Sequence, residues 1–132
     1  MIALDSNILI RLLVEDDSVQ ANLAAGLIES AQERGERSFI SDVVLCEVAW
    51  VLESVYDASR RDVAAALQTT MASPFFVFDD ASSAKSALDH FCRGKADFSD
   101  YLLGARARKR RVDATYTFDK ALRDEEGFTL LT

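Results

Sequence analysis

The chain has 132 residues, of which 49% are apolar, with one proline, five glycines and a formal net charge of −7. That length suits one core, since single domains commonly hold about 100–150 residues, and so little Pro and Gly punctuation leaves most of the chain to regular helix and strand. The acidic balance argues against a general nucleic-acid-coating protein, which would be basic overall.

No repeat, low-complexity stretch or linker breaks the pattern, so a single domain over 1–132 is expected. Met1-Ile2-Ala3-Leu4-Asp5 carries no charged leader, and the apolar runs fall far short of the roughly 20 residues a membrane span needs. A soluble, cytoplasmic protein without a membrane segment is expected. Cys46 and Cys92 sit in apolar helical patterns and read as buried small hydrophobes rather than a disulfide framework. A single histidine, His90, excludes a His-rich zinc site. Any metal would therefore be held by oxygen, which points to Mg²⁺ or Mn²⁺.

In chain order, Ile2-Ala3-Leu4 predicts a short buried strand that stops at Asp5. Ser6 to Val14 predicts a helix capped by Asp5 or Ser6. A second helix runs from Ser18 to about Arg34, with Ala21, Ala24, Ala25 and Ile28 on one face, and Gly35 stops it. Ser38-Phe39-Ile40 predicts strand two, and Ser41 caps a helix with helical apolar spacing through Val44, Leu45, Val48, Val51 and Leu52. Ser59 to Asp62 opens another helix, with Ala65, Leu67 and Met71 apolar. Pro74 ends that connection, and Phe75 to Phe78 predicts strand three.

Asp79-Asp80 leads into a helix from about Ala81 to Arg93, closed by Gly94. Asp97 to Asp100 begins the next helix, which ends in a basic run of Arg106, Arg108, Lys109, Arg110 and Arg111. Asp113 to Phe118 predicts strand four, ending at Asp119. A short helix near Ala121-Leu122 and a last strand, Thr129-Leu130-Leu131, complete the chain. Strands alternating with helices imply an α/β fold with a parallel sheet. Trp50 and the aromatic run Phe75-Phe76-Phe78 read as core. His90 reads as a surface or packing residue, and Tyr101 as packing.

In such sheets, sites gather outside the carboxyl ends of the strands. Asp5 and Asp119 sit at such ends, and so does Asp79, so position alone decides nothing. Glu47 interrupts the apolar pattern between Val43-Val44-Leu45 and Val48-Ala49-Trp50. Asp97 and Asp100 lie three residues apart, on one helix face. Each acid has a plain structural role open to it: Asp5, Asp97 and Asp119 all stand where helix caps stand. Carboxylates brought within about 4–5 Å repel by a few kcal/mol per pair at an effective dielectric near 20, which a divalent cation would offset. Oxygen-only sites of that kind suit phosphodiester cleavage.

The segment Ala3-Leu4-Asp5-Ser6-Asn7-Ile8-Leu9-Ile10-Arg11-Leu12-Leu13 resembles the opening motif of PIN-domain ribonucleases, specifically VapC-type toxins of bacterial toxin–antitoxin pairs. Ile40 to Leu52, with Glu47 at its centre, is similar to the family's second motif. Ala96 to Ala105 resembles the third, and Tyr116-Thr117-Phe118-Asp119 the fourth. The four occur in order across the chain. The resemblance implies a three-layer α/β/α fold with a parallel sheet of about five strands, in which strand three lies at the border, away from the site. It maps the core acids onto Asp5, Glu47, Asp100 and Asp119. Asp97 matches an additional acidic position, and Ser6 and Thr117 match supporting hydroxyls. It further implies Mg²⁺ or Mn²⁺ held by Asp5 and Asp100, with Glu47 and Asp119 bound directly or through water. Its products would carry 5′-phosphate and 3′-hydroxyl ends. A VapB-like antitoxin and a homodimer belong to the same implication.

The basic run departs from the family pattern. Arg106, Lys109 and Arg110 share a helix face; they fit first a solvated helix end that complements the dipole, and as the alternative an RNA-contacting rim. Two other readings stand beside the nuclease. A response-regulator receiver has this size and strand count, but wants paired acids after strand one and a lysine after a late strand, and it leaves Glu47 unexplained. A catalytically silent PIN-like interaction module would keep the fold without the chemistry. Asp5-Ser6-Asn7 lacks the second aspartate of a haloacid-dehalogenase-type phosphatase, and no calcium loop is present.

Overall fold

Three short apolar segments, Ile2–Ala3 (β1), Ser38–Ile40 (β2) and Phe76–Phe78 (β3), pair in parallel in the order β1-β2-β3. Register is set by Ile2 opposite Ser38, and by Ser38 opposite Phe76. The computed structural model describes all residues, 1–132. Its chain divides into two compact units, Met1–Ala81 and Ser82–Thr132.

In the first unit, helices fill every connection between the strands. They are α1 (Ser6–Val14), α2 (Ser18–Glu33), α3 (Asp42–Ser54) and α4 (Arg60–Ala72). The capping chemistry is local. Asp17 Oδ1 accepts from Gln20 N, Ser41 Oγ from Val44 N and Ser59 Oγ from Asp62 N. Each satisfies one of the amide donors a helix start leaves without a partner. Gly35, at φ +69°, ends the α2 turn in the left-handed region. Helix α1 packs on α2 and α3, and α3 packs on α4.

The second unit contains α5 (Ala81–Arg93) from Ser82 onward, α6 (Phe98–Lys109), and the parallel pair β4 (Thr115–Thr117) and β5 (Phe128–Leu130). A 3₁₀ turn, Lys120–Leu122, lies between the two strands. Phe91 and Phe98 meet edge to face at 6.2 Å, both fully buried. Tyr101 is buried with its hydroxyl donating to Glu125 at 2.9 Å, and the His90 ring stacks on it at 6.0 Å. A Cβ at Gly94 would run into the Tyr101 hydroxyl and Glu125, so glycine is needed there for space.

The architecture is α/β, as the alternating pattern predicts. All five strands are present, every pairing is parallel, and they form one sheet of three and one of two. No helix is long and apolar enough to cross a membrane.

Several burial expectations are corrected. Trp50 is not core: it is 64% exposed. On α3 the buried stripe is Leu45, Val48, Ala49 and Leu52, and at 100° per residue Val43, Glu47 and Trp50 project from the opposite side. The two cysteines depart for the same reason. Each lies one residue past its stripe (Cys46 after Leu45, Cys92 after Phe91), and they are half-buried and exposed respectively. Ala25 of α2 likewise faces outward, beside a stripe of Ala24 and Ala31. Phe75 is 42% exposed, and Phe76 and Phe78 are half-buried, because β3 is an edge of its three-stranded sheet.

Truncating Phe91 to alanine is expected to destabilise the protein by about 3–5 kcal/mol, whereas Trp50→Ala is expected to stay within about 0.5 kcal/mol. Urea unfolding of both variants checks this; a large loss in Trp50→Ala would contradict the burial assignment.

Candidate active site: two groups of carboxylates

The first group belongs to the first unit. Asp5 follows β1 in an extended conformation (φ −79°, ψ 160°) and stands at the N-cap of α1. Its Oδ1 accepts from the Ser6 backbone amide at 2.7 Å, so the cap role open to it in sequence is real. It is exposed all the same. Ser6 is only 6% exposed, and its Oγ lies 2.7 Å from Glu47 Oε2 and 3.4 Å from Asp5 Oδ1. A hydroxyl has one proton to donate, and the shorter contact gives it to Glu47. One buried serine therefore fixes the rotamer of a glutamate 41 residues away while its own amide fixes Asp5. Asp5 Oδ2 and Glu47 Oε1 make no hydrogen bond and remain as acceptors. Glu47 is not buried: it stands exposed at the middle of the outward side of α3.

Asp79 ends β3 but works as a cap. Its Oδ2 accepts from the Asp42 amide at 2.8 Å, so together with Ser41 it closes the start of α3.

The second group belongs to the second unit. Asp97 occupies the N-cap position of α6 (φ −73°, ψ 152°), yet its side chain makes no capping hydrogen bond. Its carbonyl instead accepts from the amides of Asp100 and Tyr101, at 3.1 and 3.3 Å. Position and role thus separate at Asp97, and its carboxylate stays exposed. Asp100, in the first turn of α6, is half-buried. Burial pushes its carboxyl above the ordinary range and a backbone hydrogen bond at Asp97 pulls it down, while the charges of Asp97 and Asp119 add to the rise. Asp119 Oδ1 accepts from the Ala121 amide at 2.9 Å, which holds it at the start of the 3₁₀ turn. Thr117 supports Asp119 through the main chain, its Oγ1 accepting from the Asp119 amide at 3.0 Å.

Within neither unit do three His, Cys, Asp or Glu side chains stand in an arrangement that would hold a metal ion. Each unit does offer carboxylate oxygens of the kind Mg²⁺ and Mn²⁺ prefer. The basic run closes α6. Arg106 is exposed, the Lys109 ammonium donates to Ser82 Oγ at 2.6 Å, and Arg110 is the C-cap residue. Cations in that last turn complement the helix dipole.

Sequence patterns did not single out Arg11, which gathers three partners. Its guanidinium donates to Asp16 at 3.0 Å, to the Tyr56 hydroxyl at 3.1 Å and to Gln20, and Tyr56 in turn donates to Asp16. The Asp16 pairing has a local signal five residues on. The Tyr56 contact spans 45 residues and has none.

Asp100 carries a pH consequence. The folded chain keeps the Asp100 proton to higher pH than the unfolded chain does. That contribution favours folding at low pH and is lost as pH rises through the folded-state value. In EDTA, Asp100→Asn should stabilise the protein at neutral pH, and the gain should shrink as pH falls through the raised folded-state value and vanish below the ordinary aspartate range. Urea unfolding across pH reads this directly; a gain that does not change with pH would contradict it.

The family model described as PIN domain matches residues 2–126, a span that includes all four motif acids and extends through most of both units. No curated protein matches the chain. The match removes the receiver alternative. On this match the chain belongs to the PIN domain family, whose members are generally nuclease domains, typically metal-dependent and acting on RNA.

Proposed function

We propose that this chain is a single-domain, metal-dependent endoribonuclease and the toxin of a toxin–antitoxin pair. The observation that carries the catalytic part is the Asp5–Ser6–Glu47 arrangement. Two carboxylates share one buried hydroxyl and turn their remaining oxygens outward, in a chain of a nuclease family. An acid group serving only as a cap has no need of a partner held by a buried serine.

In this reading the motif acids are the ligands for Mg²⁺ or Mn²⁺: Asp5 and Asp100 bind directly, and Glu47 and Asp119 directly or through water. The donor set fits such an ion, since every candidate ligand is a hard carboxylate oxygen and none is sulfur or imidazole. Bound there, the cation would supply water activation and charge stabilisation for phosphodiester hydrolysis. The chain's own residues do the positioning. Ser6 N–H holds Asp5, Ser6 Oγ holds Glu47 and Ala121 N–H holds Asp119. Asp97 adds negative charge beside Asp100, which strengthens the demand for a cation. Arg106, Lys109 and Arg110 are the candidates for RNA contact.

The toxin role rests on the motif resemblance to VapC-type proteins, and with it come a VapB-like antitoxin, a homodimer and a cytoplasmic setting. An antitoxin that silences such a site would need to offset its carboxylates, so a basic side chain is the expected contact.

Cleavage of end-labelled RNA by the purified protein tests the enzyme reading, with Mn²⁺, with Mg²⁺ and with EDTA, beside Asp100→Asn. Cutting should require the metal and vanish in EDTA. Because the charge stabilisation at stake is several kcal/mol, the variant should lose on the order of a hundredfold or more while its circular dichroism stays unchanged. Full activity in Asp100→Asn would remove that residue from the site, and no cutting with either metal would contradict the reading.

A further inference from the structure

Two aromatic side chains of the second unit stand in solvent, and they are neighbours along one extended segment. Tyr116 is 64% exposed and Phe118 80%, whereas Thr115 and Thr117 are half-buried. Exposure that alternates in this way puts both rings on the same face of the strand, with their Cα atoms about 6.6 Å apart. The extended course continues past Phe118. The Leu131 amide donates to the Thr117 carbonyl at 2.8 Å, and Asp119 has φ −76° and ψ 115°. Across the pair, Thr129 stands opposite Tyr116 and is exposed as well. Two large rings left bare on one small open sheet face mark a contact surface rather than scattered surface apolarity.

The chain runs on from these rings into two cations. Lys120 opens the 3₁₀ turn and Arg123 closes it; both are exposed and neither makes an ion pair. Side chains at i and i+3 of a 3₁₀ turn line up, so the two charges lie on one side of it. In a chain of net charge −7, unneutralised cations beside bare rings favour a partner that is both flat and anionic. An unpaired nucleotide is both, since every base has a π face and every linkage a phosphate. A second copy of the chain fits this face less well. Two rings supply about 300–500 Å² of contact, against roughly 800 Å² per partner in a stable interface. An apolar contact would also leave Lys120 and Arg123 without a role.

We infer that Tyr116 and Phe118 form a base-stacking platform for single-stranded RNA, with Lys120 and Arg123 holding its phosphates. The inference rests on the nuclease reading, which makes the anionic partner an RNA. The platform ends one residue before Asp119, so a base stacked on Phe118 brings its backbone to that carboxylate. Stacking accepts any base, so the platform selects unpaired over paired RNA rather than one sequence over another.

Fluorescence anisotropy of short labelled RNAs, one single-stranded and one duplex, tests the inference with the full chain in EDTA across a range of salt. Phe118→Leu keeps an apolar side chain and loses the π face. It should weaken single-strand binding on the order of tenfold for every sequence, with the salt slope retained, and Phe118→Trp should keep the wild-type affinity. Lys120→Gln should instead reduce the salt slope by about 0.7, the value for one lost single-strand phosphate contact. Melting curves should match the wild type, because all these side chains are exposed. Unchanged affinity in Phe118→Leu overturns the inference, as does a loss in Phe118→Trp as large as in Phe118→Leu. So does equal affinity for the duplex, an unchanged slope in Lys120→Gln, or no RNA binding by the wild type. If Phe118→Leu binds RNA normally but sediments as a smaller species than the wild type, the face belongs to a second copy and the inference falls. Lower affinity in Phe118→Leu, with a wild type that cuts no RNA with either metal, leaves the platform standing and removes the nuclease reading alone.

Discussion

Like charges can be kept near one another in a folded chain only if other bonds hold each of them in place. Here those bonds are supplied by main-chain amides at helix starts and by one buried serine. Asp5 and Asp119 each spend an oxygen on an amide that a helix or 3₁₀ turn would otherwise leave without a partner. Glu47 has no such amide and is held by Ser6 Oγ. Asp100 has burial working against its charge, with Asp97 and Asp119 adding to the strain. The bonds that cap these turns also fix the carboxylates, so a cap bond at Asp5 or Asp119 does not exclude the catalytic role proposed for it. At Asp97 the two roles do come apart, since the residue takes the cap position without the cap bond.

The sides of α3 show how one helix serves core and surface together. Leu45, Val48, Ala49 and Leu52 anchor it, which leaves Val43, Glu47 and Trp50 to the outside. Because the buried stripe fixes the rotation of the helix, Glu47 is presented by packing it takes no part in. Ser41 and Asp79 fix where that helix begins, so the glutamate is located along the axis by capping and around the axis by the core. Loss of either constraint would move the carboxylate relative to Ser6.

Much of this was legible in the residues, and what was legible was local. Cap residues, apolar periodicity and the stop at Gly35 each act within a few positions, and α1, α2 and β2 fall where those signals put them. The acids of the four motifs were readable because three of them sit at element boundaries and Glu47 breaks an apolar run. Side-chain exposure was less legible. Trp50, Cys46 and Cys92 are hydrophobic by type, yet a rotation of about 100° from the buried stripe takes each of them off it. Long-range bonds were not legible at all. Nothing local marks Asp79 for the Asp42 amide, 37 residues back, or Tyr56 for Arg11. Both involve common residue types whose partner depends on the packing of separate helices.

The central claim of the proposed function is that the motif acids are ligands for a divalent cation. Calorimetric titration with Mn²⁺ of the wild type, Asp5→Asn and Asp119→Asn tests it without any need for the right RNA. The account predicts saturable binding that each substitution weakens. Absence of binding by the wild type, or binding that either substitution leaves unchanged, would contradict it.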